Sequence, residues 1–349
     1  MTDAAQSRAR GGLLGLAIGD ALGMPTQYMP RELIAGRYGV LTDFQAGPED
    51  NPVSRGLPAG RVTDDTDQAI ILGRLLVKGR GRVDPETFAK ELLGWEERMS
   101  AAGSADLLGP STRKALTLAA EGVSTDLTGR AGATNGAAMR VAPIGVAFPP
   151  DPIERLIDAV VQSSHVTHNT TIAIAGAAAV AAAVSAGVDG ASLDEALRLA
   201  IEAARLGARR GFYFAGADVA ARITWAMELV KGRSPVEAVD LIYRLVGTGV
   251  ATQEAVPAAI AICAIAPEDP WLVCRLAASL GGDCDTVAAI AGAIAGACHG
   301  VEVFPRGVVD ALDTANPDLA LEDLADQLFA LRTLVASASP AHGAKELSA

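Results

Sequence analysis

The sequence predicts an all-α protein, and three observations carry that expectation. Apolar residues recur at helical spacing from end to end, while strand-like alternation is nearly absent. Segment after segment opens on a capping residue followed by proline or an acid. Half of the 349 residues are hydrophobic but only 4% are aromatic, and with glycine and alanine abundant the core must be filled by small side chains that let backbones approach closely.

Taken in order, helices are expected over residues 11–22, 64–77, 85–101, 112–121, 152–163, 171–186, 192–206, 217–230, 235–246, 256–266, 270–280 and 286–299. Their starts are the best-marked features. Asp84-Pro85-Glu86, Asp151-Pro152, Ser192-Leu193-Asp194-Glu195, Ser234-Pro235-Val236-Glu237 and Asp269-Pro270 each pair a cap with proline or acid in the first turn. No flexible linker or fixed-period repeat divides the chain, so one helical domain is expected from about residue 8 to 335, followed by a disordered tail over 336–349. Glycine-rich or polar loops at 42–62, 102–111 and 129–136 interrupt the helices; loops on a helical scaffold are where a pocket is built.

The formal charge of -12 repels phosphate backbones and no basic patch offsets it, which argues against nucleic acid as a partner. Cys263, Cys274, Cys284 and Cys298 lack CxxC spacing and sit in apolar stretches, as reduced thiols of a cytoplasmic protein would. No basic-then-apolar leader opens the chain. Its most apolar run, residues 172–184, falls short of the roughly 20 residues needed to cross a bilayer and reads as a buried helix, so no membrane partner is expected.

Two acidic clusters carry the chemistry. Thr63-Asp64-Asp65-Thr66-Asp67 precedes the apolar segment 69–77, and Gly281-Gly282-Asp283-Cys284-Asp285-Thr286 introduces a second apolar helix. Carboxylates in a first turn are favoured by the helix dipole, so two well-capped helices lying apart are one reading. The second cluster suggests more, because its apolar flanks bury it and no Lys or Arg occurs over residues 276–304. Should the two helix starts face each other, four carboxylates and two hydroxyls converge, and hard cations would relieve their repulsion. An all-oxygen set selects two magnesium ions, with manganese as a substitute. Such a pair can bind a substrate diol and a water together, which implies hydrolysis with an aspartate, Asp65 or Asp285, as general base.

The chain resembles the ADP-ribosylglycohydrolases, the family that includes the enzymes reactivating ADP-ribosylated dinitrogenase reductase. The resemblance rests on five segments in order: residues 12–23 (Gly-Leu-Leu-Gly-Leu-Ala-Ile-Gly-Asp-Ala-Leu-Gly), 60–66 (Gly-Arg-Val-Thr-Asp-Asp-Thr), 135–145, Thr167-His168, and 281–292. It implies a compact orthogonal helical bundle and the ligand set Thr63, Asp64, Asp65, Asp283, Asp285 and Thr286. The family cleaves the N- or O-glycosidic bond at the anomeric carbon of ADP-ribose attached to a side chain. The partner it implies is thus a ribosyl-containing small molecule or an ADP-ribosylated protein.

Asp20, His168 and the loop holding Asn135 and Gly136 become candidate substrate contacts. For Asp20 the other reading is a bond to backbone at a helix bend, and for His168 it is a buried, hydrogen-bonded histidine. Phe212, Tyr213 and Phe214 are candidates for stacking on adenine or for core packing. Two positions depart from the family pattern. Gln27 stands where many relatives carry a glutamate near the metals; an amide cannot act as a base at neutral pH, so base duty passes to the aspartates, and a smaller N-ribosyl compound such as a nucleoside or nucleotide becomes an alternative substrate. Cys284 stands where many carry threonine, with a catalytic thiol as the rival reading. A non-catalytic binding or structural relative is the third possibility, which the intact ligand set opposes.

Overall fold

The computed structural model describes residues 3–104 and 108–337, and within these all regular structure is helical; the only strand-like pairings are three isolated bridges. In chain order the helices are α1 (Asp3–Gly23), α2 (Arg31–Arg37), α3 (Asp64–Lys78), α4 (Pro85–Ala101), α5 (Pro110–Ala120), α6 (Thr125–Thr128), α7 (Gly136–Met139), α8 (Ala142–Ala147), α9 (Ile153–His168), α10 (Thr171–Val188), α11 (Leu193–Gly207), α12 (Val219–Val230), α13 (Pro235–Leu241), α14 (Thr252–Ile265), α15 (Pro270–Ala278), α16 (Cys284–His299), α17 (Arg306–Ala315) and α18 (Leu321–Ser337).

Capping side chains set many of the starts. Asp84, Ser192, Ser234 and Asp269 each accept a backbone N–H from the first turn behind them, and Ser192 and Ser234 form full capping boxes with Glu195 and Glu237. Ends and short elements depart more from expectation. α1 begins eight residues before residue 11, in a segment tied down by Ser7 to Glu302 and by Arg10 to Asp326. The segment expected as one helix over 235–246 stops as α-helix at Leu241 and finishes as a π-turn, Ile242–Val246, closed by Gly247 at φ 88°. α2, α17 and α18 were not expected at all. α18 carries the chain through residues 336 and 337, and the rest of the expected tail lies outside the described residues, as does part of the 102–111 loop.

At the centre, α10 is Ala-rich and buried along nearly its whole length. It is long and apolar enough to cross a membrane by composition, yet 94% of it is enclosed by neighbouring helices. The closest packing lies between α1 and α16. Glycines fall every fourth residue of α1, on one face: a Cβ added at Gly15 would stand 2.1 Å from the Gly292 carbonyl oxygen, at Gly19 2.0 Å from that of Ala288, and at Gly23 2.4 Å from the Asp285 Cα. The contact is reciprocal, since a Cβ at Gly292 would stand 2.1 Å from the Gly15 oxygen. Main chain therefore rests on main chain, and the N-terminus of α16, with Asp283 and Asp285, is set against the end of α1.

Candidate active site

The starts of α3 and α16 meet. Thr286 Oγ1 donates to Asp65 Oδ2 at 3.2 Å across 221 residues of sequence, and Thr63 Oγ1 approaches the same oxygen at 3.4 Å. Asp64, Asp65, Asp283, Asp285 and Thr286 line an open cavity of about 200 Å³, together with Gln27, Asn135 and Gly136. Each of the three interrupting loops reaches this cavity, through Val53, through Leu108 and Gly109, and through Thr134 to Gly136.

The remaining candidates stand one layer back. Asp20 is fully buried and does not line the cavity. Its carboxylate accepts the backbone N–H of Thr63 at 3.0 Å and of Thr66 at 3.1 Å, the Thr63 hydroxyl at 2.7 Å, and the Thr66 hydroxyl. Asp20 thus supplies the cap of α3. Thr63, the N-cap residue of that helix, makes no capping bond with its own side chain, because its hydroxyl is turned to Asp20. His168 is also fully buried and faces Thr134 and Thr167 rather than the cavity. Asn135 has a double position: it lines the cavity, and its amide donates to Asp283 Oδ2 at 2.5 Å.

Gln27 lies at the cavity wall but is only 2% exposed, and its Nε2 is buried without a hydrogen-bond partner. Its backbone carbonyl accepts from Asn51 Nδ2 at 2.8 Å, which ties the 42–62 loop to the site. Tyr28, beside it, lines the cavity and was not expected there; it is turned in by a backbone φ of 58° that no sequence signal announces. Phe212 and Tyr213 do not line the cavity: Phe212 lies 5.9 Å from the Arg130 guanidinium and Tyr213 is 85% exposed. Cys284 is buried with Sγ 3.3 Å from Thr26 Oγ1, and burial pushes its thiol far up, away from the thiolate a nucleophile needs.

The electrostatics are those of crowded acids. Burial, followed by the charges of Asp20, Asp64, Asp285 and Asp283, holds the Asp65 carboxyl well above the usual carboxylate range. Burial pushes Asp283 up to about 6 against the opposing bond from Asn135, and Asp20 up to about 6 against the bonds from Thr66 and Thr63.

The residues present fit a hard cation. Asp65 Oδ1 is a buried carboxylate oxygen that no hydrogen bond satisfies, in a wall built of oxygen donors. No group of three or more Asp, Glu, His or Cys side chains among the described residues is gathered to hold an ion by itself. A cation here would complete its shell with threonine hydroxyls and water, which is how magnesium is usually bound.

Comparison with known proteins adds an independent line. The family model described as ADP-ribosylglycohydrolase matches residues 1–337. The chain is 36% identical over 310 residues to the uncharacterized protein YegU of Escherichia coli (strain K12), covering 88% of this chain and 92% of that one. It is 31% identical to the ADP-ribosylarginine hydrolase Tri1 of Pseudomonas putida (strain GB-1), over 93% of this chain and 78% of that one. With the ADP-ribosyl-[dinitrogen reductase] glycohydrolase of Rhodospirillum rubrum it shares 28% identity, over 88% and 90%. A solved structure described as an ADP-ribosylglycohydrolase-related protein complex superposes with a TM-score of 0.69 at 27% identity, covering 95% of this chain and 99% of that one.

Proposed function

This chain belongs to the ADP-ribosylglycohydrolase family and is a glycoside hydrolase, and from that premise we propose that it cleaves, with magnesium, the glycosidic bond between ADP-ribose and an acceptor side chain. The observation that supports this reading is the Thr286 to Asp65 hydrogen bond, which joins the two acidic helix starts on one wall of a cavity open to a substrate. Asp64, Asp65, Asp283 and Asp285, with the hydroxyls of Thr63 and Thr286, would hold two magnesium ions, or manganese in their place. Bound there, such ions would supply positive charge to the site and lower the pKa of a bound water.

The chain's own residues have separable duties in this reaction. Asp65 or Asp285 takes the proton of the attacking water as general base. Asn135 holds Asp283 in place through its 2.5 Å amide bond, and Asp20 holds Thr63 and the first turn of α3. Gln27 brings a neutral amide and no carboxylate to the cavity lining. That missing acid favours a second reading, a smaller N-ribosyl compound such as a nucleoside or nucleotide, and Tyr28 is the only aromatic residue among the described residues lining the cavity. The four free, buried cysteines suit the cytoplasm as the working compartment.

The assay is release of ADP-ribose from ADP-ribosyl-arginine and ADP-ribosyl-serine, with and without a magnesium chelator, beside a panel of nucleosides. Magnesium-dependent release of ADP-ribose supports the first reading. Turnover confined to nucleosides transfers the function to the second, and turnover of neither set overturns both.

A further inference from the structure

Among the described residues, one buried cation, Arg140, makes its hydrogen bonds to neutral side chains and to no carboxylate. Arg140 follows the short helix α7 and is 1% exposed, with its guanidinium 5.0 Å from the Phe88 ring. Burial lowers it only to about 10, so it stays charged at neutral pH. NH1 donates to Gln68 Oε1 at 2.8 Å, and NH2 donates to Thr167 Oγ1 at 2.6 Å.

Arginine can only donate, so the direction of every bond beyond it follows. Thr167 Oγ1 accepts from Arg140 and stands 2.8 Å from His168 Nδ1. Thr167 is fully buried. Were Nδ1 to carry the hydrogen, the Thr167 hydroxyl hydrogen would be left without an acceptor, at about 1–3 kcal/mol for a buried donor. The satisfied arrangement has Thr167 donating to a bare Nδ1. Burial and the Arg140 charge both oppose protonating the ring, so the imidazole is neutral with its hydrogen on Nε2. That nitrogen is 3.0 Å from Thr134 Oγ1. Thr134 accepts from it, which leaves its own hydroxyl hydrogen to be donated elsewhere, and Thr134 lines the cavity.

We infer that Arg140, Thr167 and His168 form a relay that fixes the Thr134 hydroxyl as a donor into the cavity, making Thr134 the contact for an acceptor oxygen of the substrate. His168 is a positioning residue in this scheme, acting on the ligand only through Thr134. The same cation reaches a second residue of the cavity lining: with Gln68 Oε1 held by Arg140, Gln68 Nε2 donates to Asp64 Oδ2 at 2.7 Å. The substrate contact rests on the ADP-ribosyl reading; the relay does not.

Two measurements test them separately. Nitrogen-15 NMR of the histidine rings, with His168 assigned by loss of its signals in His168→Gln, should show an imidazole-NH shift for Nε2 and a bare-nitrogen shift for Nδ1 at pH 7. Thr167→Val should convert that single tautomer into a mixture while the helical signal persists. An Nδ1–H tautomer or an imidazolium in the parent protein would overturn the relay, whatever the activity. Calorimetric titration with ADP-ribose should show Thr134→Val binding about threefold to tenfold more weakly, the worth of one hydrogen bond, with Thr134→Ser restoring affinity, and the same factor should fall on KM rather than kcat. Unchanged affinity in Thr134→Val would overturn the contact. If the parent protein binds no ADP-ribose, the ADP-ribosyl reading and the contact fall together, and the tautomer still decides the relay.

Discussion

Replacing Asp65 with asparagine separates charge from shape at the centre of the acidic cluster. Asparagine keeps one oxygen for the Thr63 and Thr286 hydroxyls at 3.4 and 3.2 Å, and places an N–H where the unsatisfied Oδ1 now stands. The neighbouring acids already hold the carboxyl well above its usual range, so without magnesium the substitution should move stability by no more than about 1 kcal/mol in either direction. With magnesium the two proteins should diverge. A ligand at one hundred times its dissociation constant stabilises by about 2.7 kcal/mol. Unfolding entropy near 2.1 cal/mol/K per residue over 349 residues gives about 0.7 kcal/mol/K, so one ion should raise Tm by about 4 °C. Thermal melts followed by circular dichroism, with chelator and then across a magnesium titration, should show that rise in the parent protein and its loss in Asp65→Asn. A parent Tm that ignores magnesium, or a variant that keeps the full shift, would refute the placement of the centre.

Other substitutions reach other parts of the structure. Gly19→Ala puts a methyl 2.0 Å from the Ala288 oxygen and should lower Tm by the equivalent of about 1–3 kcal/mol or more, whereas Gly36→Ala in α2, with nothing within 4 Å of the new methyl, should leave Tm level or raise it; equal effects would show that the α1–α16 contact is not tight. His168 is fully buried and held well below 6.5 by burial and Arg140, so the unfolded chain takes up a proton there that the folded one refuses. Its contribution to stability is present above about pH 6.5 and is lost as pH falls from there toward the folded value. The fall in Tm from pH 7 to 5 should accordingly be shallower in His168→Gln, and parallel curves would count against a neutral ring. Gln27→Glu adds an acid to the cavity wall and should lower the magnesium concentration for half-maximal activity while shifting turnover toward ADP-ribosyl substrates; if neither moves, Gln27 does not govern substrate choice.

Local rules carried the reading of the chain where a single segment contains its own signal. The start of α4 was legible because Asp84, Pro85 and Glu86 state the cap, the first turn and the dipole complement within three residues. The two acidic clusters were legible for the same reason, and the lack of a cation over residues 276–304 pointed to their shared need for charge. What stayed hidden depends on partners far apart in sequence. Asp20 caps α3 from 43 residues upstream of Thr63, so no window around either residue reveals it. His168 was a candidate for touching substrate and instead stands behind Thr134, because a Cβ at Gly136 would already be 2.8 Å from its ring and the loop in front excludes it from the cavity. Tyr28 escaped notice since a non-glycine residue at positive φ follows no propensity.

The glycine contact between α1 and α16 makes the position of the acidic cluster a matter of counting. Gly11, Gly15, Gly19 and Gly23 share a face because they are spaced by four, and inserting one residue among them would swing every later glycine by about 100° around the helix. The face that admits main chain would then be broken into two half-stripes, neither long enough to seat α16. Point changes in the aliphatic core can be absorbed by neighbouring side chains, but the shortest contacts along this seam are with main-chain atoms, which cannot yield in that way. Length variation should therefore be tolerated in the loop of residues 42–62 and forbidden in α1. A library of single-residue insertions scored for folded protein would show that boundary as a step, falling at the first helix.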